Sequence, residues 1–353
     1  MTLAILGSFF TACFLTILSI PTIIKISELK NLNDNPSPRK LHSVSTPTLG
    51  GVAIFAAFII SSTLWLNPET SINLQYIICA LIILFFIGIK DDIYDIIHYK
   101  KFIVQAFASF VIIHFAGIKL TSLYGLFGVY EISTFWSYVL SFFVYTGIIN
   151  AINLIDGINC LAGSIGMISS VAFGAFFYYL GLENWSILCF ALTGSLAGFL
   201  YFNKTPAKIF MGDTGSLIVG LMCSIFAIHF IEYNADAVIF KSGPTIAISI
   251  LIIPIFDTIR IILRRLWNKK GIFQPDRNHI HHILVDSGFS HHKSVFFLLS
   301  VNLFVIGSCY IFQDLDKYKI FAGHGAELLL FFIFIFMFLL FNLIERSLVK
   351  KVK

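Results

Sequence analysis

The sequence predicts an all-α integral membrane protein, a polytopic bundle of about eleven transmembrane helices. Three observations predict it. The 353 residues are 58% hydrophobic and only 12% charged, and a mean hydropathy of +0.88 fits no soluble class. Apolar residues recur in runs of about 17 to 20, enough for a helix to cross ~30 Å of hydrocarbon. Stretches such as 328–341 are apolar at every position, whereas a barrel strand would alternate with period two.

In chain order the expected spans are 3–25, 50–66, 72–89, 102–118, 136–152, 161–181, 186–202, 214–231, 245–263, 294–312 and 326–344. The first run follows Met-Thr-Leu-Ala and continues to Ile24, without the basic start of a signal peptide, so it reads as a retained helix. Orientation follows from Lys and Arg, because basic residues accumulate on the cytoplasmic side. Twenty of the 24 fall in one set of loops and at the C-terminus. Lys119, Lys241, Lys317 and Lys319 alone fall in the other. The N-terminus is therefore expected outside and the C-terminus in the cytoplasm.

The net charge of +5 has its explanation in this topology and does not call for a nucleic acid partner. The six cysteines (Cys13, Cys79, Cys160, Cys189, Cys223, Cys309) are scattered without CxxC spacing, which argues against a disulfide framework or a zinc site. The chain reads as a single polytopic domain over 1–353, with polar inner loops at about 26–49, 90–101, 150–160, 203–213 and 265–292. Those loops hold KLHSVSTPTLGG at 40–51, KDDIYD at 90–95, NAINLIDGIN at 150–159, FNKTPAKIFMGDTGS at 202–216 and QPDRNHIHH at 274–282. The outer loops carry little that converges chemically.

Asp91, Asp92, Asp156 and Asp213 all lie at inner helix ends. A single solvated carboxylate there is unremarkable, but four brought together would repel unless a cation joined them. Oxygen donors without a cysteine cluster suit Mg2+, or Mn2+, which keep waters and accept substrate phosphates. In MGDTGS two glycines flank Asp213 just before an apolar helix, and a helix N-terminus attracts phosphate, although a plain loop-to-helix turn explains the motif equally well. Asn150, Asn153 and Asp156 follow at i, i+3 and i+6, near one helical face. They suit either interhelical hydrogen bonds or a polar wall for nucleotide and metal. His279, His281 and His282, with Arg277 and Asp276 before them, form the densest titratable cluster, able to donate to a diphosphate. Asp257 and Arg260, at i and i+3, read as a pair with each other. His291 and His292 read as ordinary juxtamembrane residues, and His114, His229 and His324 are given no role.

With these loops in view, the chain from about Lys40 to Lys293 resembles the polyprenyl-phosphate N-acetylhexosamine-1-phosphate transferases. TPTLGG, KDD, NAINLIDG, FMGDTGS and HIHH occur in that order on one membrane face, and HIHH after PDRN is closer to the WecA branch than to the MraY branch. The resemblance implies magnesium-dependent transfer of a sugar-1-phosphate, GlcNAc-1-phosphate first among candidates, from a UDP-N-acetylhexosamine to a polyprenyl phosphate, with release of UMP. It implies Asp213 as the magnesium ligand and Asp91 and Asp92 as a catalytic pair. Asp156 with Asn150 and Asn153 would form the nucleotide and metal wall. Phe210 would pack on uracil with Asn203 nearby, and His279, His281 and His282 would be the histidine motif. Lys40, Thr46 and Arg277 would bind substrate. One departure is Asn159, followed by Cys160, where the family often shows a second aspartate. A second copy of the chain is a further candidate partner besides the bilayer and the two substrates. An MraY-like phospho-MurNAc-pentapeptide transferase is the alternative within the family. A secondary transporter or a noncatalytic membrane scaffold is what the helices alone would equally allow.

Overall fold

The computed structural model describes residues 2–30, 32–34, 45–68, 73–125, 129–237, 240, 242–269, 271, 278–313 and 325–352, so Lys40 and Arg277 lie outside the described residues. They are almost all helical. In order they form α1 (Thr2–Leu29), α2 (Gly50–Trp65), α3 (Leu74–Ile93), α4 (His98–Val111, closing in a π-helical turn at Ile112–Ala116), α5 (Thr134–Ile155), α6 (Leu161–Tyr179), α7 (Glu183–Asn203) and α8 (Gly212–Ala237). There follow α9 (Gly243–Ile250), α10 (Ile252–Trp267), α11 (Ile280–Asp286), α12 (His291–Phe312) and α13 (Gly325–Val352). A two-residue antiparallel ladder, Asn33–Asp34 with Thr46–Pro47, clips the first inner loop.

A helix occupies every segment expected to cross the membrane. Eight of the described helices are long and apolar enough to cross by themselves, and α2, at 16 residues, is shorter. The continuous crossing expected over 245–263 is corrected by the structure: α9 and α10 are bent by 82° at Leu251. Pro254 is the physical reason. Its ring clashes with the carbonyl four residues back, that of Ile250, which is where α9 ends. Its missing N–H costs nothing in the first turn of the next helix. The released Ile250 carbonyl accepts instead from Asn302 Nδ2 on α12, at 3.2 Å.

The chain forms two compact units, Met1–Glu232 and Tyr233–Lys353. In the first, α8 is the hub: every residue from Thr214 to Ile228 is buried, as a helix that is predominantly apolar all round should be. Around it α1 packs on α2 and α7, burying Ser8, Ala12 and Thr16, small residues that let helix backbones approach. The approach of α3 to α8 is the one that builds the site. A Cβ on Gly88 would stand 2.4 Å from Thr214 Cα, so only glycine permits this contact. One turn further along α3 come Asp91 and Asp92, which are thereby carried to the start of α8.

In the second unit α12 packs on α9 and α13. The buried face of α10 carries Ile253, Phe256, Asp257, Arg260 and Ile261, while Leu263, Leu266 and Trp267 are exposed beside Arg264 and Arg265.

Candidate active site

The first turn of α8 leaves N–H groups with no intrahelical partner, and here a neighbouring helix supplies the acceptor. Asp92 Oδ1 accepts from Asp213 N at 2.7 Å, and Asp92 Oδ2 from Thr214 N at 3.1 Å and Thr214 Oγ1 at 2.5 Å. This is an N-cap supplied across 121 residues of chain. Gly212 makes room for it. Its φ is +69°, and a Cβ there would stand 2.6 Å from both Asp92 oxygens. The loop before α8 is pinned as well: Phe210 N donates to Pro47 O at 2.8 Å, and Gly50 N to Phe210 O at 3.0 Å. These bonds place the Thr46–Pro47 ladder strand beside the FMGD stretch, with Thr46 buried.

Lys101, from the first turn of α4, stands between two carboxylates. Its Nζ is 2.5 Å from Asp91 Oδ2 and 2.5 Å from Asp213 Oδ2. The other Asp91 oxygen accepts from Ile96 N at 2.7 Å. All three side chains are mostly buried, so the attraction is weakly screened. Lys101 escapes the sequence reading, which counts it only toward topology. The available signal was its place just inside an apolar helix, where an ammonium needs a partner.

The α5 residues divide between two partners. Asn153 Nδ2 donates to Ser216 Oγ at 2.9 Å, joining α5 to α8 beside Asp213. Asn150 exchanges hydrogen bonds with Gln105, Nδ2 to Oε1 at 2.8 Å and Nε2 to Oδ1 at 3.3 Å, which joins α5 to α4. Asp156 ends α5, within reach of the charges of Asp213 and Asp92. Asn203 ties the two loops together, accepting from Cys160 N at 2.7 Å and donating to Ile209 O at 2.8 Å. Asn159 donates to Thr205 Oγ1 at 3.1 Å.

The four aspartates thus meet at the start of α8: Lys101 joins Asp91 to Asp213, Asp92 caps the Asp213 amide, and Asp156 lies within range of the charges of Asp213 and Asp92. Their environment raises three of them. Burial, helped by the proximity and charge of Asp213, pushes the Asp91 carboxyl up to about 6 against the pull of Lys101. Burial pushes Asp92 up to about 7, opposed by the Thr214 hydroxyl. Burial and the charges of Asp213 and Asp92 hold Asp156 well above the ordinary carboxylate range. An excess of carboxylates over ammonium at a helix N-terminus can bind a further cation or move a proton. The donors are hard oxygens. Among the described residues no three His, Cys, Asp or Glu side chains form a metal cage. That donor set fits an ion held by one or two carboxylates and completed by water and substrate oxygens.

In the second unit the histidine motif folds against α10. His279 Nδ1 lies 2.7 Å from Asp257 Oδ2, and Ile280 N donates to Asp257 Oδ1 at 3.0 Å. The expected Asp257–Arg260 pair is present but longer, at 3.7 Å. The rings of His279 and His281 stack at 5.7 Å and those of His281 and His282 lie 4.3 Å apart. Both ring nitrogens of the buried His281 lack a hydrogen-bond partner among the described residues. Burial, then the neighbouring His282, His279 and His291, keeps that ring's pKa well below the usual histidine value.

Residues 74–231 match the model of glycosyl transferase family 4. A probable undecaprenyl-phosphate N-acetylglucosaminyl 1-phosphate transferase of Bacillus subtilis strain 168 is 35% identical over 320 residues, 87% of this chain and 86% of the relative. Undecaprenyl-phosphate alpha-N-acetylglucosaminyl 1-phosphate transferases of Yersinia pestis and Escherichia coli K12 are 32% and 29% identical, over 75% and 89% of this chain and 73% and 84% of theirs.

Proposed function

We propose a division of labour for the site on the premise that this chain belongs to the undecaprenyl-phosphate N-acetylglucosaminyl 1-phosphate transferases of glycosyl transferase family 4. It is a multi-pass membrane enzyme that transfers GlcNAc-1-phosphate to undecaprenyl phosphate. The donor in our reading is UDP-GlcNAc, and the reaction takes place at the cytoplasmic face of a bacterial inner membrane. The excess of Lys and Arg on the side of Asp91, Asp92, Asp156 and Asp213 supports that face. A soluble nucleotide-sugar and a lipid phosphate can meet only at headgroup depth.

The observation that carries the assignment is the Asp91–Lys101–Asp213 bridge at the N-terminus of α8. Phosphate oxygens are drawn to a helix N-terminus and to an ammonium. Asp213 is our assigned holder of Mg2+, with Asp156 and Asn153 beside it. The chemistry magnesium supplies when bound is neutralisation of charge on the diphosphate. Lys101 keeps Asp91 and Asp213 close without mutual repulsion. Asp92, whose oxygens cap α8, is a positioning residue for Asp213.

An oxygen of the lipid phosphate attacks the sugar-linked phosphorus. The new P–O bond makes the lipid diphosphate sugar, the bond to the other donor phosphate breaks, and UMP leaves with that electron pair. Any proton on the attacking phosphate passes to Asp91. A phosphate monoester loses its second proton near pH 6, so the nucleophile needs little help and direct transfer is favoured over a phospho-enzyme. The expected result is that labelled UMP does not exchange into UDP-GlcNAc when undecaprenyl phosphate is left out. Exchange without the lipid, measured by chromatography of the nucleotide pool, requires a sugar-phosphate held on the protein and overturns direct transfer.

A further inference from the structure

Asp257 carries no part of the transfer described so far, and its geometry is more demanding than an ion pair within α10 requires. It is almost fully buried, and each of its oxygens serves the segment that opens α11. Oδ2 takes the side chain of His279 at 2.7 Å, and Oδ1 takes the amide of Ile280 at 3.0 Å. Arg260, also fully buried, donates from Nη1 to the carbonyl of Asn278 at 2.7 Å. Residues 278, 279 and 280 are therefore each tied to α10 by a different bond. The Asp257–Arg260 contact, at 3.7 Å, is the longest in the group.

A carboxylate on one ring nitrogen of a histidine fixes both the ring's orientation and its tautomer. With the Nδ1 proton committed to Asp257, Nε2 is the nitrogen left for a ligand. An unanchored imidazole on a short helix would sample both tautomers and several rotamers.

We propose that Asp257 is a positioning residue for His279 in the transfer reaction, holding its Nδ1 proton so that the ring keeps one tautomer and one orientation and Nε2 is the nitrogen left free to act. This rests on the transfer reaction proposed above. Arg260 completes the arrangement by fixing the peptide before His279. At metal-bound histidines the loss of such a carboxylate partner lowers activity on the order of 10- to 100-fold, and a loss of that order is expected here.

The test compares the purified full-length wild type with Asp257→Asn, His279→Ala and the double variant, assayed for UMP release from UDP-GlcNAc and undecaprenyl phosphate with Mg2+. Asp257→Asn is expected to lower kcat by about tenfold to a hundredfold with KM for UDP-GlcNAc within about threefold. The double variant is expected to be no slower than His279→Ala, because Asp257 acts through the histidine. A kcat for Asp257→Asn within about twofold of the wild type, or a further comparable loss on top of His279→Ala, overturns the proposal. Should Asp257→Asn not survive purification, Asp257→Glu and Asp257→Gln, equal in size, decide it: Glu is expected to be the faster by about tenfold, and equal rates overturn it. The tautomer is read independently of turnover from 15N spectra of histidine-labelled protein. His279 Nδ1 is expected protonated in the wild type and mixed in Asp257→Asn. A wild type with that tautomer but no UMP release refutes the transfer reaction alone, and a mixed tautomer in an active wild type refutes the role of Asp257.

Discussion

Asp213→Ala is expected to lower kcat by about a thousandfold, the size of loss seen when a preorganised charge-stabilising group is removed. The carboxylate faces Lys101 Nζ and Asp91, whereas the backbone N–H of the same residue is what Asp92 caps. Alanine therefore deletes the proposed magnesium ligand and leaves the cap of α8 in place. The protein should still purify as a folded membrane protein, with a thermal transition close to that of the wild type. Raising Mg2+ should not restore turnover, since the missing group is the ligand and not the ion. UMP release measured over a range of Mg2+ checks this, and undiminished release from Asp213→Ala removes Asp213 from the metal role.

Lys101→Met is expected to have the second largest effect, roughly a hundredfold loss at pH 7, the size of loss that follows removal of a preorganised charge-stabilising group. Methionine keeps the length and the apolar stem but removes the ammonium that sits 2.5 Å from each of two carboxylates. An opposite charge favours the ionised form of a carboxyl, so its loss raises the pKa values of both partners. In the wild type, with Asp91 at about 6, activity should rise as pH increases through that value, because the ionised form receives the proton. In Lys101→Met the same acid limb should move to higher pH, and part of the lost rate should return above about pH 8. Rate profiles measured from acid to alkaline pH distinguish this from a folding defect. A variant whose profile is lowered uniformly, with its limb unmoved, contradicts the proposed electrostatic role of Lys101.

The membrane fold was legible because its signal is long and redundant: a span such as 214–231 is predominantly apolar over its whole length, as a helix that satisfies its own backbone groups in lipid must be. The break at Leu251 was not, because mean hydropathy does not register a proline ring against the carbonyl of Ile250, although Pro254 was there to be read. Convergence of the four aspartates could be expected from their shared position at inner helix ends. Lys101 could not be separated from other basic residues, since counting charges for topology uses only their sign. The polar stripe of α5 was read with two alternatives open. Asn150 takes the interhelical one with Gln105, while Asn153 reaches Ser216 at the start of α8. Asp257 was assigned to Arg260 because sequence displays neighbours three residues apart, whereas its tighter partner lies 22 residues away. Asn159, which departs from the family's second aspartate, holds Thr205 across the two loops, a hydrogen-bonding task that an amide performs without charge.

In the proposed reaction one site moves GlcNAc-1-phosphate intact from the nucleotide to the lipid. Its most direct test follows a label on the sugar-linked phosphorus of UDP-GlcNAc, with purified protein, undecaprenyl phosphate and Mg2+. The label is expected in the lipid fraction in an amount equal to the UMP released, and both products are expected to form about a thousandfold more slowly with Asp213→Ala. UMP release with the label left in water as GlcNAc-1-phosphate, or labelled lipid formed undiminished by Asp213→Ala, would contradict it.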